Sequence, residues 1–224
     1  MPNRREFIAT SAVLAAASQL APHACAGAAK KKKLGYALVG LGRLSTNQLA
    51  PALQKTSDSE LVGIVTGSPE KAEQWQAKYG ISKDNTYNYR NFDQIADNPD
   101  IDVVYVVLPN SMHQEFTIRA AKAAKHVLCE KPMAITSQEA RTMIEACDEA
   151  KVKLAIGYRC QFEPHNLECM RIAREEEFGP LKYIDAGFGF RFGDYPWGDL
   201  RRWRLEQEYA GGGALMDVGV YALQ

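Results

Sequence analysis

The stretch Leu34 to Ser45, LGYALVGLGRLS, restricts the fold more than any other part of the chain. A short apolar run leads into Gly40-Leu41-Gly42, and a helix-like run opens with Arg43 and Leu44. The order is strand, tight turn, helix start. Gly40 lets the turn close. Gly42 has no Cβ, so the backbone can approach a pyrophosphate held at the helix N-terminus. The third glycine of the usual G-x-G-x-x-G is replaced by Ser45. One G-x-G leaves a plain turn and a nucleotide site equally open. The regular spacing of the residues beyond Ser45 decides between them.

Short apolar runs then alternate with helical patterns. Leu61 to Thr66 reads as a strand, and Pro69 to Tyr79 as a helix with Ser68 as N-cap and Pro69 at its first position. Residues 102–108, DVVYVVL, read as a buried strand stopped by Pro109-Asn110. Met112 to Ala124 reads as a helix and His126 to Cys129 as a short strand ended by Glu130-Lys131-Pro132. Ser137 to Ala150 reads as a helix with serine as its N-cap, and Lys153 to Gly157 as a further strand. Strands separated by helices predict an α/β fold, a Rossmann-type doubly wound parallel sheet. Gly40-Leu41-Gly42, Thr66, Pro109-Asn110, Glu130-Lys131 and Gly157-Tyr158-Arg159 then fall at carboxyl ends of strands, the edge where open parallel sheets bind ligands.

The second strand end speaks to which nucleotide. An NAD site usually carries an acid there to hold the ribose 2′-hydroxyl. Here Thr66-Gly67-Ser68 stands in its place, with Lys71 one helical turn on. Hydroxyls, a helix N-terminus and an ammonium suit a 2′-phosphate, so the expected cofactor is NADP(H). The competing reading makes Lys71 an ordinary solvated helix residue.

Lysine plus arginine and aspartate plus glutamate each number 27, and this zero balance gives no reason to expect a nucleic-acid partner. The five cysteines form no C-x-x-C, and the four histidines form no H-E-x-x-H, so no metal site is expected and the thiols read as free. Residues 1–29 read as an export signal: Arg4-Arg5 ahead of Phe7, an alanine-rich apolar run to Leu20, then Ala24-Cys25-Ala26 as a cleavage site. The twin-arginine pattern predicts a periplasmic protein, with a plain secretory signal as the alternative. The run is too short for a stable membrane span, so no membrane attachment is expected once the signal is removed. Residues 30–160 then form the nucleotide-binding domain. From 161 the pattern changes: a helix over His165 to Glu177, a strand-like aromatic run from Leu181 to Phe192, a loop over Gly193 to Asp199, and a helix from Ala214 opened by Gly211-Gly212-Gly213. Residues 161–224 read as the start of a second, α+β domain that is incomplete at this length.

These residues resemble the Gfo/Idh/MocA oxidoreductases, and most closely their exported glucose–fructose oxidoreductase branch. The matching pieces are Val39-Gly40-Leu41-Gly42, Leu108-Pro109-Asn110-Ser111 with His113, Glu130-Lys131-Pro132-Met133-Ala134, Gly157-Tyr158-Arg159, Trp203-Arg204-Leu205, and the run from Gly211 to Tyr221. The resemblance implies a sugar oxidoreductase that passes hydride between an aldose C1 and a tightly held NADP(H), which a second sugar reoxidises. It implies Lys131, Asp217 and Tyr221 as catalytic residues. Lys131 would bond the reacting hydroxyl, Asp217 would orient it, and Tyr221 would be the acid/base. An adjacent Lys131 ammonium is expected to favour its phenolate. Cofactor contacts would come from Gly40, Leu41, Gly42, Arg43, Leu44, Thr66, Gly67, Ser68, Lys71, Tyr87, Leu108, Pro109, Asn110, His113, Glu130, Lys131, Arg159, Trp203 and Arg204, although Tyr87 and Trp203 fit equally well as packing aromatics. Family members run longer and pair through the second domain, whose sheet would line much of the substrate pocket, so a homo-oligomer is expected of the full-length protein. Two other readings stand beside it: an exported NAD-dependent glycoside hydrolase of the same fold, and a non-catalytic sugar or nucleotide sensor.

Overall fold

The computed structural model describes residues 33–189 and 203–223. The leader and the loop at Gly193 to Asp199 lie outside them.

Six strands form one parallel sheet: β1 (Leu34–Val39), β2 (Ser59–Val65), β3 (Thr86–Tyr87), β4 (Val103–Val106), β5 (His126–Cys129) and β6 (Leu154–Ile156). Their order is β3-β2-β1-β4-β5-β6, and every pairing is parallel. The order reverses between β1 and β4, which is where a doubly wound sheet opens its ligand crevice. All carboxyl ends share one edge, so the five predicted clusters do as well. β3 is the strand that the sequence hid, because two residues are too short to show a period.

Alternation along each strand feeds two cores. On one face Ala37, Val39, Val104, Val106, Val127 and Cys129 pack with Phe116, Ala120, Met143 and Cys147. These last come from α3 (His113–Lys122) and α4 (Ser137–Glu149). On the other face Leu38, Ile64 and Tyr105 pack with Ala50 and Trp75, from α1 (Ala50–Leu53) and α2 (Pro69–Tyr79). Burial pushes the Cys129 and Cys147 thiols up to about 12 and about 11, which leaves them inert packing groups. The four described cysteines are free.

Local chemistry sets most helix ends. Ser68 caps α2, its hydroxyl accepting from Lys71 N–H at 3.3 Å, with Pro69 at the first position. The cap of α4 is Thr136, which accepts from Glu139 N–H at 3.1 Å, and the expected serine at 137 is one residue inside the helix. Both residues are good caps, and only the extended backbone of Thr136 (φ −136°, ψ 157°) separates them.

After β6 come a 3₁₀ turn (Arg159–Phe162) and α5 (Pro164–Arg174). The strand expected from Leu181 is absent over 181–189: the residues are exposed and, among the described residues, no neighbouring strand pairs with them. An alternating pattern without a ladder partner gives no strand. The chain is described again from Trp203 through α6 (Gln207–Ala210), a π-helical turn (Leu215–Gly219) and α7 (Val220–Leu223).

Candidate active site

The glycine turn after β1 is built as its two glycines require, for different reasons. Gly40 has φ +93°, and a Cβ there would lie 2.4 Å from the Val107 carbonyl oxygen. This turn passes hard against the end of β4. A Cβ on Gly42 would meet nothing within 4 Å, so its open side faces outward from the helix start. A π-helical turn (Ser45–Leu49) follows Arg43 and Leu44. Ser45 is fully buried where the third glycine would stand, and its hydroxyl donates to the Gly40 carbonyl at 2.6 Å. A small side chain there does a glycine's packing work and also ties the turn down.

At the end of β2, Thr66 Oγ1 accepts from Ser68 N–H at 3.2 Å and folds the 66–68 turn. Lys71 reaches back from α2, its Nζ donating to the Leu41 carbonyl at 3.4 Å. The ammonium therefore stands between the second strand end and the glycine turn. Ser68 Oγ also donates to Glu70 at 2.7 Å, and that hydroxyl holds the Glu70 carboxyl below its ordinary range. An exposed carboxylate thus shares this corner with Lys71, a feature that the sequence pattern had not raised. The aromatic ring beside the turn is Tyr89: a Cβ on Gly67 would be 3.1 Å from it.

Several side chains expected to contact cofactor are engaged with protein instead. Tyr87 is a core residue whose hydroxyl accepts from Asn98 at 2.8 Å, and the ring at the turn is that of Tyr89. His113 is fully buried, with Nδ1 2.8 Å from the Pro132 carbonyl oxygen and Nε2 2.9 Å from that of Leu108. It joins the loops after β4 and β5 and presents no atom to a ligand. Burial pushes its titration below the usual histidine range, the two carbonyls pull the other way, and the Lys131 charge acts with burial. The side chain of Leu108 lies in the core, and that of Asn110 donates to the Ala210 carbonyl at 3.0 Å. Glu130 accepts from Tyr105 Oη at 2.6 Å, and burial raises its carboxyl despite the Lys131 and Arg159 charges. Pro109 is half-buried beside them.

Lys131 sits at the end of β5, and its Lys131–Pro132 peptide is cis. Its ammonium donates to the Asp217 main-chain carbonyl and lies 3.1 Å from Asp217 Oδ1. The same ammonium is 5.0 Å from the Tyr221 ring centroid. Arg204 Nε is 3.5 Å from Asp217 Oδ1, and its guanidinium lies 4.2 Å over the Trp203 ring. The Arg159 guanidinium is 5.9 Å from the Tyr221 ring. Lys131, Asp217 and Tyr221 therefore converge, with Arg159 and Arg204 on either side. The expected acidification of Tyr221 is overturned. Lys131 meets the ring face, and burial raises the phenol above its ordinary value, Arg159 opposing and Glu130 reinforcing the shift. At neutral pH this residue holds its proton.

The two ends fit one long ligand. From β2 across β1 and β4 to β5 is three strand spacings, roughly 14 Å. Phosphate-binding chemistry (backbone left open by Gly42 at a helix start, and Lys71) lies at one end and acid–base chemistry at the other. The fit to a dinucleotide rests on Gly42, which offers backbone with no side chain in the way. Among the described residues no group of three His, Cys, Asp or Glu side chains converges as metal ligands would.

The family model for Gfo/Idh/MocA, an oxidoreductase family with an NAD-binding Rossmann fold, matches residues 34–158. A D-xylose 1-dehydrogenase [NADP(+)] of Haloarcula marismortui is 32% identical over 188 residues, 84% of this chain and 52% of that protein. A 1,5-anhydro-D-fructose reductase of Ensifer adhaerens is 33% identical, covering 83% of this chain and 53% of its own length. The crystal structure of an aldose-aldose oxidoreductase from Caulobacter crescentus, complexed with glycerol, superposes with a TM-score of 0.81 at 46% identity, over 86% of this chain and 56% of that one. The chain spans about half the length of these relatives.

Proposed function

The chain belongs to the Gfo/Idh/MocA oxidoreductase family, and from that premise we propose that it is an NADP(H)-dependent sugar oxidoreductase acting on a CH–OH group. The observation that carries the reading is the meeting of Lys131, Asp217 and Tyr221 at the strand-end edge that also holds the glycine turn and Lys71. The relatives that act on sugars and use NADP support the substrate class and the nucleotide.

Bound nicotinamide supplies the hydride acceptor and donor. The chain's own residues do the rest. Gly40 to Leu44 offer backbone and a helix start to phosphates, and Lys71 offers an ammonium to a 2′-phosphate. The Lys131 ammonium bonds the sugar oxygen and stabilises negative charge that builds there. Asp217 fixes the ammonium in place. Tyr221, protonated at neutral pH, delivers a proton when a carbonyl is reduced and needs it removed when a hydroxyl is oxidised.

The finer reading is that of a glucose–fructose-type enzyme: an aldose is oxidised at C1, NADP(H) stays bound, and a second sugar reoxidises it. Export by the twin-arginine route fits this, since that route carries folded proteins with cofactor aboard. The test is to purify the full-length protein from the periplasm and extract its nucleotide. The expected result is NADP(H) near one per chain, with a reduced-nicotinamide band that vanishes on adding a ketose and returns on adding an aldose. Protein that arrives without nucleotide, or a band that ignores sugar, would refute the closed cycle.

A further inference from the structure

Asp217 lies 86 residues beyond Lys131 in the chain, so something must dock the later segment for the two to meet. Two contacts do so. Asn110 and Ala210 are both almost fully buried, and Asn110 Nδ2 donates to the Ala210 carbonyl at 3.0 Å. Ala210 is the last residue of α6, and a helix cannot itself satisfy its final carbonyls. Asn110 supplies that missing donor from the end of β4. At the next residue the chain turns: Gly211 has φ 77° and ψ −110°. A Cβ there would lie 3.1–3.3 Å from Ile135, its backbone oxygen included. Ile135 is itself held by Glu139, whose Oε2 accepts from its N–H at 3.2 Å. The turn is thus pressed against the loop that carries Lys131.

We infer that Asn110 is a positioning residue: its side-chain amide, acting with the Gly211 turn, sets how far Asp217 and Tyr221 stand from Lys131, and it touches neither nucleotide nor sugar. The inference rests on the catalytic reading of those three residues. A bond to main chain fixes the start of the segment whatever its side chains are, so a small loss at Ala210 is carried to the residues beyond it. A misplacement of about 1 Å costs a rate of about 100-fold.

The test is Asn110→Asp in the full-length protein. The change keeps size and removes the N–H donors. The expected result is a kcat for aldose oxidation lower by about 100-fold with NADPH affinity unchanged. Amide hydrogen exchange over 211–221 should be faster by about tenfold. In a Lys131→Ala background the same change should add little to the loss of rate. If Asn110→Asp does not melt cooperatively, Gly211→Ala disturbs the same turn from its other side and gives the same readouts. Weakened NADPH binding with unchanged exchange would make Asn110 a nucleotide contact and overturn the inference, as would unchanged rate and exchange. The exchange arm needs no sugar chemistry. A wild type that oxidises no aldose would sink the functional reading while leaving the docking to be judged by exchange alone.

Discussion

Glu130 is a carboxyl held out of water beside Lys131. Its partner is the Tyr105 hydroxyl, and a Cβ on Gly157 would come within 3.0 Å of its Oε1. Because burial raises its folded-state pKa above the unfolded value, folding is most favoured below that unfolded value and loses stability as pH rises through the folded pKa. Glu130→Gln keeps an oxygen for Tyr105 and removes the charge. It should be more stable at pH 7 by about 1 kcal/mol, read as a melting temperature higher by about 2–4 °C, with the gain vanishing toward pH 4. Glu130→Ala should melt lower than wild type, because it strands the Tyr105 hydroxyl. At this scale the sequence was partly legible. It marked Lys131, Asp217 and Tyr221, whose convergence the fold provides, but it could not tell a side chain that faces a ligand from one that faces the protein. His113, Asn110 and Tyr87 sit within the right motifs and point inward, because motif spacing locates a backbone and leaves side-chain direction undetermined.

Among the described residues three helices end on an unfavourable residue. α2 closes on Gly80, with φ 69°, as a left-handed end requires. α3 reaches the same conformation on Ala124 (φ 56°), with Lys125 N–H bonding the Ala120 carbonyl at 3.1 Å. α4 does so on Lys151 (φ 56°), with Val152 N–H bonding the Cys147 carbonyl at 3.0 Å. α5 does so on Glu176 (φ 51°), where Glu177 N–H bonds the Ile172 carbonyl at 3.2 Å. A Cβ in this region costs about 1 kcal/mol. Ala124→Gly should therefore stabilise the protein by about that amount, offset in part by the freedom glycine gains when unfolded. Urea denaturation checks it through a higher midpoint at unchanged slope. The helices and central strands were legible because their periods run over several turns or a full buried strand. β3 was not, at two residues, and neither was the choice between Thr136 and Ser137, which depends on backbone angles alone. The aromatic run from Leu181 misled for the opposite reason: it has the period of a strand but, among the described residues, no partner.

Over the whole molecule, the parallel sheet sends every strand's carboxyl end to one edge, and the chemistry gathers there. NADPH that binds only the folded protein should stabilise nucleotide-stripped full-length enzyme by about 2.7 kcal/mol at a hundred times its dissociation constant. Gly42→Val should leave the unliganded melting temperature where it was, since nothing lies within 4 Å of its Cβ. It should abolish the rise with NADPH. Scanning calorimetry of both proteins, with and without nucleotide, decides the matter, and a variant that still gains stability from NADPH would refute this role for the turn. The folded chain thus has no stake of its own in why residue 42 is bare. Breeding for heat resistance alone could fill that position unnoticed and hand back a sturdy, inert protein.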